Sequence, residues 1–359
     1  MKRIAVLAGD GIGPEVMQQA LRVLAVVANK VGFAYELKEA LIGGAAYEAY
    51  KNHLSEETLE VCKNSDAILF GSVGGPLAES TLQKWKNCEV NSLLGIRKAF
   101  SFYANFRPCR LYKDLLDICP LKDSVVGSGA SILIIRELIG DIYFGAKTKG
   151  TGEFGRFATD MAEYNEQQIS LIAKVAFASA RNRRLKVTSV DKANVLESSK
   201  LWREVVTEVS AAYPDVELEH MLVDNCAMQL VKNPSHFDVL LTTNMFGDIL
   251  SDLASVLPGS LGMTPSASLN ASGFGLYEPS GGSAPDLAGK GVANPTAQIL
   301  SLAMMLRLSF GLESAAALIE NAIEKTIAQG DRTADICVQG QLALGTEEFS
   351  DRVIENLNV

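Results

Sequence analysis

The chain has 359 residues, with 33 Lys plus Arg against 42 Asp plus Glu and a formal net charge of -9; this length suits about two domains, or two lobes of one fold. Hydrophobic residues make up 48% and charged residues 21%, a globular and not a disordered composition. The acidic balance argues against a nucleic-acid binder or a basic membrane-surface protein, and no apolar run approaches the ~20 residues that span a bilayer.

Along the chain, Ile4 to Ala8 is a short apolar run, as expected for a strand buried on both faces. After the basic start Met1-Lys2-Arg3 it is too short for a secretory signal. The loop Gly9-Asp10-Gly11-Ile12-Gly13 follows, then Pro14 at a first helical position, and Val16, Ala20, Leu21, Leu24 and Val27 recur at helical spacing. A second unit runs from Leu59 through Ala67-Ile68-Leu69-Phe70 into Gly71-Ser72-Val73-Gly74-Gly75-Pro76. In the middle of the chain four apolar runs end next to ionisable or amide residues. Ile132–Ile135 leads to Arg136-Glu137, and Val187–Val190 to Asp191-Lys192. Met221–Val223 leads to Asp224-Asn225, and Val239–Thr243 to Asn244, with Asp248 on the helix beyond. Strands alternating with helices indicate an α/β fold. Ligands of open α/β sheets bind beyond the carboxyl ends of strands, so four such endings of mixed charge point to a polar site. Helical periodicity lapses from Pro258 to Gly291, where Gly281–Asp286 reads as an irregular binding loop, and resumes over Thr296–Leu308 and Glu313–Ala328.

Some apparent motifs fail on spacing. Gly9, Gly11 and Gly13 do not make G-x-G-x-x-G, and Ala146 breaks the G-K-[ST] of a P-loop near Gly145-Lys147. The cysteines at 62, 88, 109, 119, 226 and 337 form no C-x-x-C pair and read as reduced thiols of a cytosolic protein. His53, His220 and His236 lack metal-ligand spacing. Asp248 and Asp252, four apart, face the same way on a helix. Their repulsion costs a few tenths of a kcal/mol unless something neutralises it, and Mg²⁺ or Mn²⁺ suits their hard oxygens. Arg97, Arg107 and Arg136, with Glu137 and Lys192, form a charge-dense set whose fitting ligand is a small polycarboxylate.

Taken in order, several segments resemble the β-decarboxylating dehydrogenases, the family of isopropylmalate, isocitrate and homoisocitrate dehydrogenases, and within it the 3-isopropylmalate branch. They are Gly9–Glu15, Gly71–Pro76, Arg136-Glu137-Leu138 with Ile142–Gly145, Ser189–Asn194, Asn244–Leu257 and Gly282–Asp286. The resemblance implies a two-lobed, non-Rossmann α/β fold. A cofactor-binding lobe (1–102 and 257–359) is formed by both chain ends, and a dimerisation and metal/substrate lobe spans 103–256. It implies a cytoplasmic homodimer with shared active sites, using NAD and Mg²⁺ or Mn²⁺. Arg97, Arg107 and Arg136 would hold the substrate carboxylates. Asp248 and Asp252, with Asp224 of the second subunit, would hold the metal, Asp224 also meeting the substrate. Tyr143 and Lys192 of the second subunit would move protons.

The implied reaction converts 3-isopropylmalate to 4-methyl-2-oxopentanoate in leucine biosynthesis. Glu89, Leu93 and Leu94 ahead of Arg97 match the branch that accepts an isopropyl group, and Leu93 offers the apolar contact; homoisocitrate, isocitrate and D-malate are the alternative substrates. Asp286 would bind the adenosine ribose and repel a 2′-phosphate, favouring NAD over NADP. Asn294 and Asp335 belong to the adenosine side. The further implied cofactor contacts are Ile12, Glu89, Gly262, Ser266, Glu278, Gly282, Ser283, Ala284, Pro285 and Ala293. The chain departs from the family at Gly281, where a His is common. A metal- and carboxylate-binding protein without turnover is the rival from another class, and Lys192 together with Tyr143 speaks against it.

Overall fold

The computed structural model describes residues 1–127 and 129–358. The chain divides into two compact units: Met1–Ser101, Tyr112–Pro120 and Pro258–Val359 form the first, and Phe102–Leu111 with Leu121–Leu257 the second. Both chain ends therefore build one unit.

In the first unit the strands lie in the order Tyr35–Glu39, Lys2–Gly9, Ala67–Ser72, Gly275–Pro279 and Pro265–Leu269. The first four are parallel and the last is antiparallel to its neighbour. All six residues of Ala67–Ser72 are buried, as a parallel strand covered on both faces requires. The helix Gly13–Val31 carries Pro14 in its first turn, buries Val16, Ala20, Val23, Leu24 and Val27, and stops at Gly32 in the left-handed conformation, whose N–H bonds back to the carbonyl of Ala28. The helix Thr296–Leu308 is buried at every residue from 296 to 306. A helix apolar all round must be enclosed, and Gly13–Val31, Glu313–Ala328 and the Pro265–Pro279 hairpin pack against it.

The strand order of the second unit is Ala104–Arg110, Ser131–Glu137, Val239–Thr242, Lys186–Asp191 and Glu217–Leu222. The first pair is antiparallel and the rest parallel. The helices Glu166–Arg181, Glu197–Ser210, Val223–Lys232 and Asn244–Ser255 belong to this unit. Asn165 and Gln168 close the start of the first of these with a reciprocal capping box.

Three features depart from the sequence reading. The stretch 258–291 holds a hairpin, Pro265–Leu269 with Gly275–Pro279, where the sequence showed only that helical periodicity lapses. A second hairpin, Lys147–Gly152 with Gly155–Asp160, is almost wholly exposed and carries no buried alternation that a sequence could display. Residues 112–120, read as part of the 103–256 lobe, belong to the first unit. Arg332 Nη1 bonds Asp117 at 2.9 and 3.0 Å, and a Cβ at Gly259 would fall 2.4 Å from Ile118 Cδ1. All six cysteines are free. Among the described residues no helix is long and apolar enough to cross a membrane.

Candidate active site

The carboxyl end of Ser131–Glu137 delivers Arg136, which is 3% exposed. Its Nε and Nη2 donate to Asn244 Oδ1 at 3.0 and 2.8 Å, and its Nη1 donates to Asp248 Oδ1. The stem of Arg136 lies against the helix Asn244–Ser255 because position 247 is glycine: a Cβ there would fall 2.7 Å from Arg136 Cγ and 2.3 Å from Thr242 Oγ1. From the strand Ala104–Arg110, Arg107 sends Nη1 to Ser251 Oγ at 2.7 Å and to Asp252 Oδ1 at 3.0 Å, while its Nε reaches Asn105 Oδ1 at 3.0 Å. Arg107 Nη2 stands 3.7 Å from Asp248 Oδ1. Tyr143 donates its hydroxyl proton to Asp248 Oδ2 at 2.9 Å, and the Arg136 guanidinium lies 5.7 Å from its ring centre.

Five of the residues singled out in the sequence thus converge: Arg107, Arg136, Tyr143, Asp248 and Asp252. The cluster has a polarity. Both guanidinium groups are buried, whereas the Asp252 side chain is 64% exposed. The repulsion expected between Asp248 and Asp252 is offset by two arginines in this chain. Burial raises the Tyr143 phenol above its ordinary value, and the bond to the Asp248 carboxylate raises it further. The phenol therefore holds its proton more firmly than a free tyrosine does. Sequence reasoning did not single out Asn105 and Ser251, which aim Arg107. Asn105 lies on the same face of its strand two residues away, and Ser251 is one helical turn from Asp248, so period-2 and period-3 spacing was the available signal.

Lys192 and Asp224 form a pair of their own, Nζ to Oδ1 at 2.7 Å, between the end of Lys186–Asp191 and the first turn of Val223–Lys232. The Lys192 hydrogen bond holds the Asp224 carboxyl below its ordinary value. Among the described residues no three His, Cys, Asp or Glu side chains gather to hold a metal within one chain.

Behind this cluster, Glu137 is 1% exposed. It accepts from Ile139 N at 2.6 Å, Gly140 N at 2.8 Å and Tyr164 Oη at 3.0 Å. Burial pushes its carboxyl up to about 7, against these three bonds, which favour the charged form. A carboxyl raised in the folded state stabilises the fold below its unfolded value of about 4.5, and that contribution is lost as pH rises through about 7. The melting temperature should therefore fall from about pH 5 to about pH 8, and Glu137→Gln should flatten that decline. Equal slopes for the two proteins would show that Glu137 does not titrate there.

In the first unit, Arg97 and Leu93 lie on the helix Leu93–Ala99. Arg97 Nη2 meets Glu278 Oε1 at 3.0 Å with both side chains buried. Glu278, read as a cofactor contact, is thus the anchor of Arg97, and Arg97 Nε is buried without a partner among the described residues. Leu93 is 9% exposed and joins the core. Glu89 is exposed on the short helix Cys88–Asn91.

A cavity of about 470 Å³ in this unit is lined by Ile12, Gly262, Gly282, Ala284, Ala293, Asn294 and Asp335, together with Leu261, Gly281 and Leu287. The loop after the first strand closes on it: Ile12 N donates to Ser283 O at 2.8 Å. Gly11, at φ +60°, has room only for hydrogen, since a Cβ would fall 2.0 Å from Ser283 O. Asp335 accepts from Asn294 Nδ2 at 3.1 Å, from Thr333 Oγ1 at 2.6 Å and from Ser260 Oγ. Among the described residues Gly281 faces Leu261, whose Cβ would lie 3.7 Å from an added methyl. Ser266 is buried in the hairpin, and Pro285 and the exposed Asp286 lie outside the lining.

The pattern of the isocitrate/isopropylmalate dehydrogenase family matches residues 3–353. A 3-isopropylmalate dehydrogenase from Desulfotalea psychrophila is 53% identical over 359 residues, covering 99% of this chain and 100% of that one. One from Escherichia coli K12 is 52% identical over 350 residues, covering 97% and 96%. Among solved structures, an isocitrate dehydrogenase from Methylococcus capsulatus superposes with a TM-score of 0.87 at 33% identity, covering 100% of both chains. A β-decarboxylating dehydrogenase from Thermococcus kodakarensis gives 0.80 at 34% identity, covering 100% of this chain and 96% of the other. Matched along nearly its whole length in sequence and in fold, the chain belongs to the isocitrate/isopropylmalate dehydrogenase family of oxidoreductases.

Proposed function

We propose that the protein oxidises and decarboxylates 3-isopropylmalate to 4-methyl-2-oxopentanoate with reduction of NAD, a cytoplasmic step of leucine biosynthesis, as a homodimer with shared sites. The observation that carries this reading is the convergence of two buried arginines, a tyrosine hydroxyl and two carboxylates at one strand end. Buried guanidinium groups facing water on one side are built for a carboxylate-bearing ligand. The identity of the curated relatives favours 3-isopropylmalate within the family.

The residues fit both a divalent cation and a dinucleotide. Asp248 and Asp252 offer hard oxygen donors on a solvent-facing side and suit Mg²⁺ or Mn²⁺. Asp224 of the second subunit would complete the set. The cavity around Asn294 and Asp335, with its glycine walls, suits the adenosine part of NAD. Exposed Asp286 beside it favours a ribose without a 2′-phosphate. When bound, NAD supplies the hydride acceptor and the divalent cation the Lewis acid.

The chain's own residues would do the rest. Arg107, Arg136 and Arg97 hold the two carboxylates of the substrate and fix its orientation. Lys192 of the second subunit takes the proton of the C2 hydroxyl as the hydride leaves C2. Carbon dioxide then departs from C3 and leaves its electron pair behind. Tyr143, which carries its proton at the mouth of the cluster beside Asp248, gives that phenolic proton to the carbon. Apolar Met228 and Val231 on Val223–Lys232, and Ile249 and Val256 on or just after Asn244–Ser255, are exposed in the single chain. A second copy covering these helices would bury them and bring its Lys192 and Asp224 with it.

NADH absorbance with 3-isopropylmalate, isocitrate, homoisocitrate and D-malate tests the reading. Turnover is expected with 3-isopropylmalate and NAD, weakly with NADP, and not after chelation. Equal or faster turnover of another substrate would refute the assignment.

A further inference from the structure

The helix Asn244–Ser255 carries both Asp248 and Asp252, yet its N-cap residue Thr243 makes no side-chain cap. The first N–H groups of a helix need partners from elsewhere. Here Asn244 N donates to Tyr164 Oη at 2.8 Å and Met245 N donates to Asp141 Oδ2 at 3.0 Å. Asp141 lies two residues before Tyr143, and Tyr164 is tied to the root of the same turn through Glu137. The Asp141 carbonyl accepts from Phe144 N and Gly145 N, which folds 141–145 into a turn, and Asp141 itself holds φ +71°, a conformation most residues avoid. The Tyr164 hydroxyl donates to Glu137 Oε2, and Glu137 also accepts from Ile139 N and Gly140 N at the root of the same turn. Asn244 Nδ2 adds a bond to Gly140 O at 3.2 Å.

We propose that Tyr164, backed by Glu137, is a positioning residue that clamps the Tyr143 turn to the start of the helix bearing Asp248. The single hydroxyl does two jobs: its lone pair caps the helix, and its proton ties that cap to the carboxylate holding the turn. The 2.9 Å approach of Tyr143 to Asp248 is set from both ends by this link. Tyr164 also stacks edge-on to Trp202, with ring centres 5.3 Å apart, so a purely packing role is the alternative. Tyr164→Phe separates the two, because it keeps the ring and removes only the hydroxyl.

The proposal rests on the catalytic role given to Tyr143 above, and its test has one arm that does not. In the protein without ligands, amide hydrogen exchange over 139–145 and 244–247 should quicken about tenfold in Tyr164→Phe, with exchange elsewhere unchanged. In turnover, Tyr164→Phe should lower kcat about tenfold with KM for NAD unchanged. In a Tyr143→Phe background the same change should cost less than about twofold, since the residue it positions is already disabled. Unaltered exchange in those segments, or an equal kcat loss in both backgrounds, would overturn the clamp. Should Tyr164→Phe fail to fold, Glu137→Gln carries the same two measurements, because an amide cannot accept all three donors. Absence of turnover by the unmodified protein would refute the proposed function alone, and the exchange arm would still decide the clamp.

Discussion

Lys192→Met is expected to lower turnover of 3-isopropylmalate by about 10²–10⁴-fold, the usual contribution of a positioned general base, while leaving the melting temperature nearly unchanged. The side chain is partly exposed, and its partner, Asp224, is 60% exposed, so little folding energy depends on the pair. The arrangement adds a sharper test. Lys192 lies with Asp224 and not in the Tyr143 cluster of its own chain, so its site would be the one in the second subunit. Mixing Lys192→Met with Tyr143→Phe subunits should then restore about a quarter of wild-type turnover, because half of the dimers are mixed and one of their two sites is intact. A mixture no more active than its parents would place both groups in one chain's site.

Arg136→Leu should be as damaging to turnover and far worse for stability. The guanidinium is 3% exposed and binds Asn244 and Asp248 together. Its removal leaves the Asn244 carbonyl oxygen buried without a donor and Asp248 without its nearest cation. Loss of such a donor costs about 1–3 kcal/mol, the Asp248 share being discounted because that side chain is 35% exposed. Losing a forked contact to a substrate carboxylate should lower kcat/KM by a further ~10²–10³-fold. Arg136→Lys should recover less than about a tenth of the lost activity, since an ammonium cannot fork onto one oxygen with two N–H groups. Near-wild-type kcat/KM in Arg136→Lys would show that charge alone suffices. Urea unfolding and substrate kinetics on the same preparations separate the two effects.

Much of the site was legible because strand ends announce themselves. Arg136, Lys192, Asp224 and Asn244 each follow an apolar run; three of the runs fall on strands of the second unit, and the fourth, Met221–Val223, covers the last two residues of Glu217–Leu222 and the first of the next helix. The spacing of Asp248 and Asp252 placed them on one helical face, and they lie there, met by Arg107 and Arg136. Glu278 entered only as a cofactor contact implied by the family resemblance; that it grips Arg97, 181 positions away, depends on a long-range approach that no local pattern encodes. The exposed Lys147–Asp160 hairpin escaped notice for the opposite reason, since nothing buried marks its register.

By itself the amino-acid order determined the α/β class, the glycine turn after the first strand, the family resemblance and the residue types available for carboxylate, metal and proton chemistry. Those follow from short-range periodicity and from side-chain chemistry, which a linear text preserves. Only the tertiary structure decided which charges are neighbours. It put two arginines against Asp248 and Asp252, set Lys192 on Asp224, gave Glu278 to Arg97, and placed Tyr164 as the cap of a helix 80 residues later in the chain. Such choices are made by the burial of whole strands and helices. The partner a polar group finds is whichever donor or acceptor that packing leaves beside it.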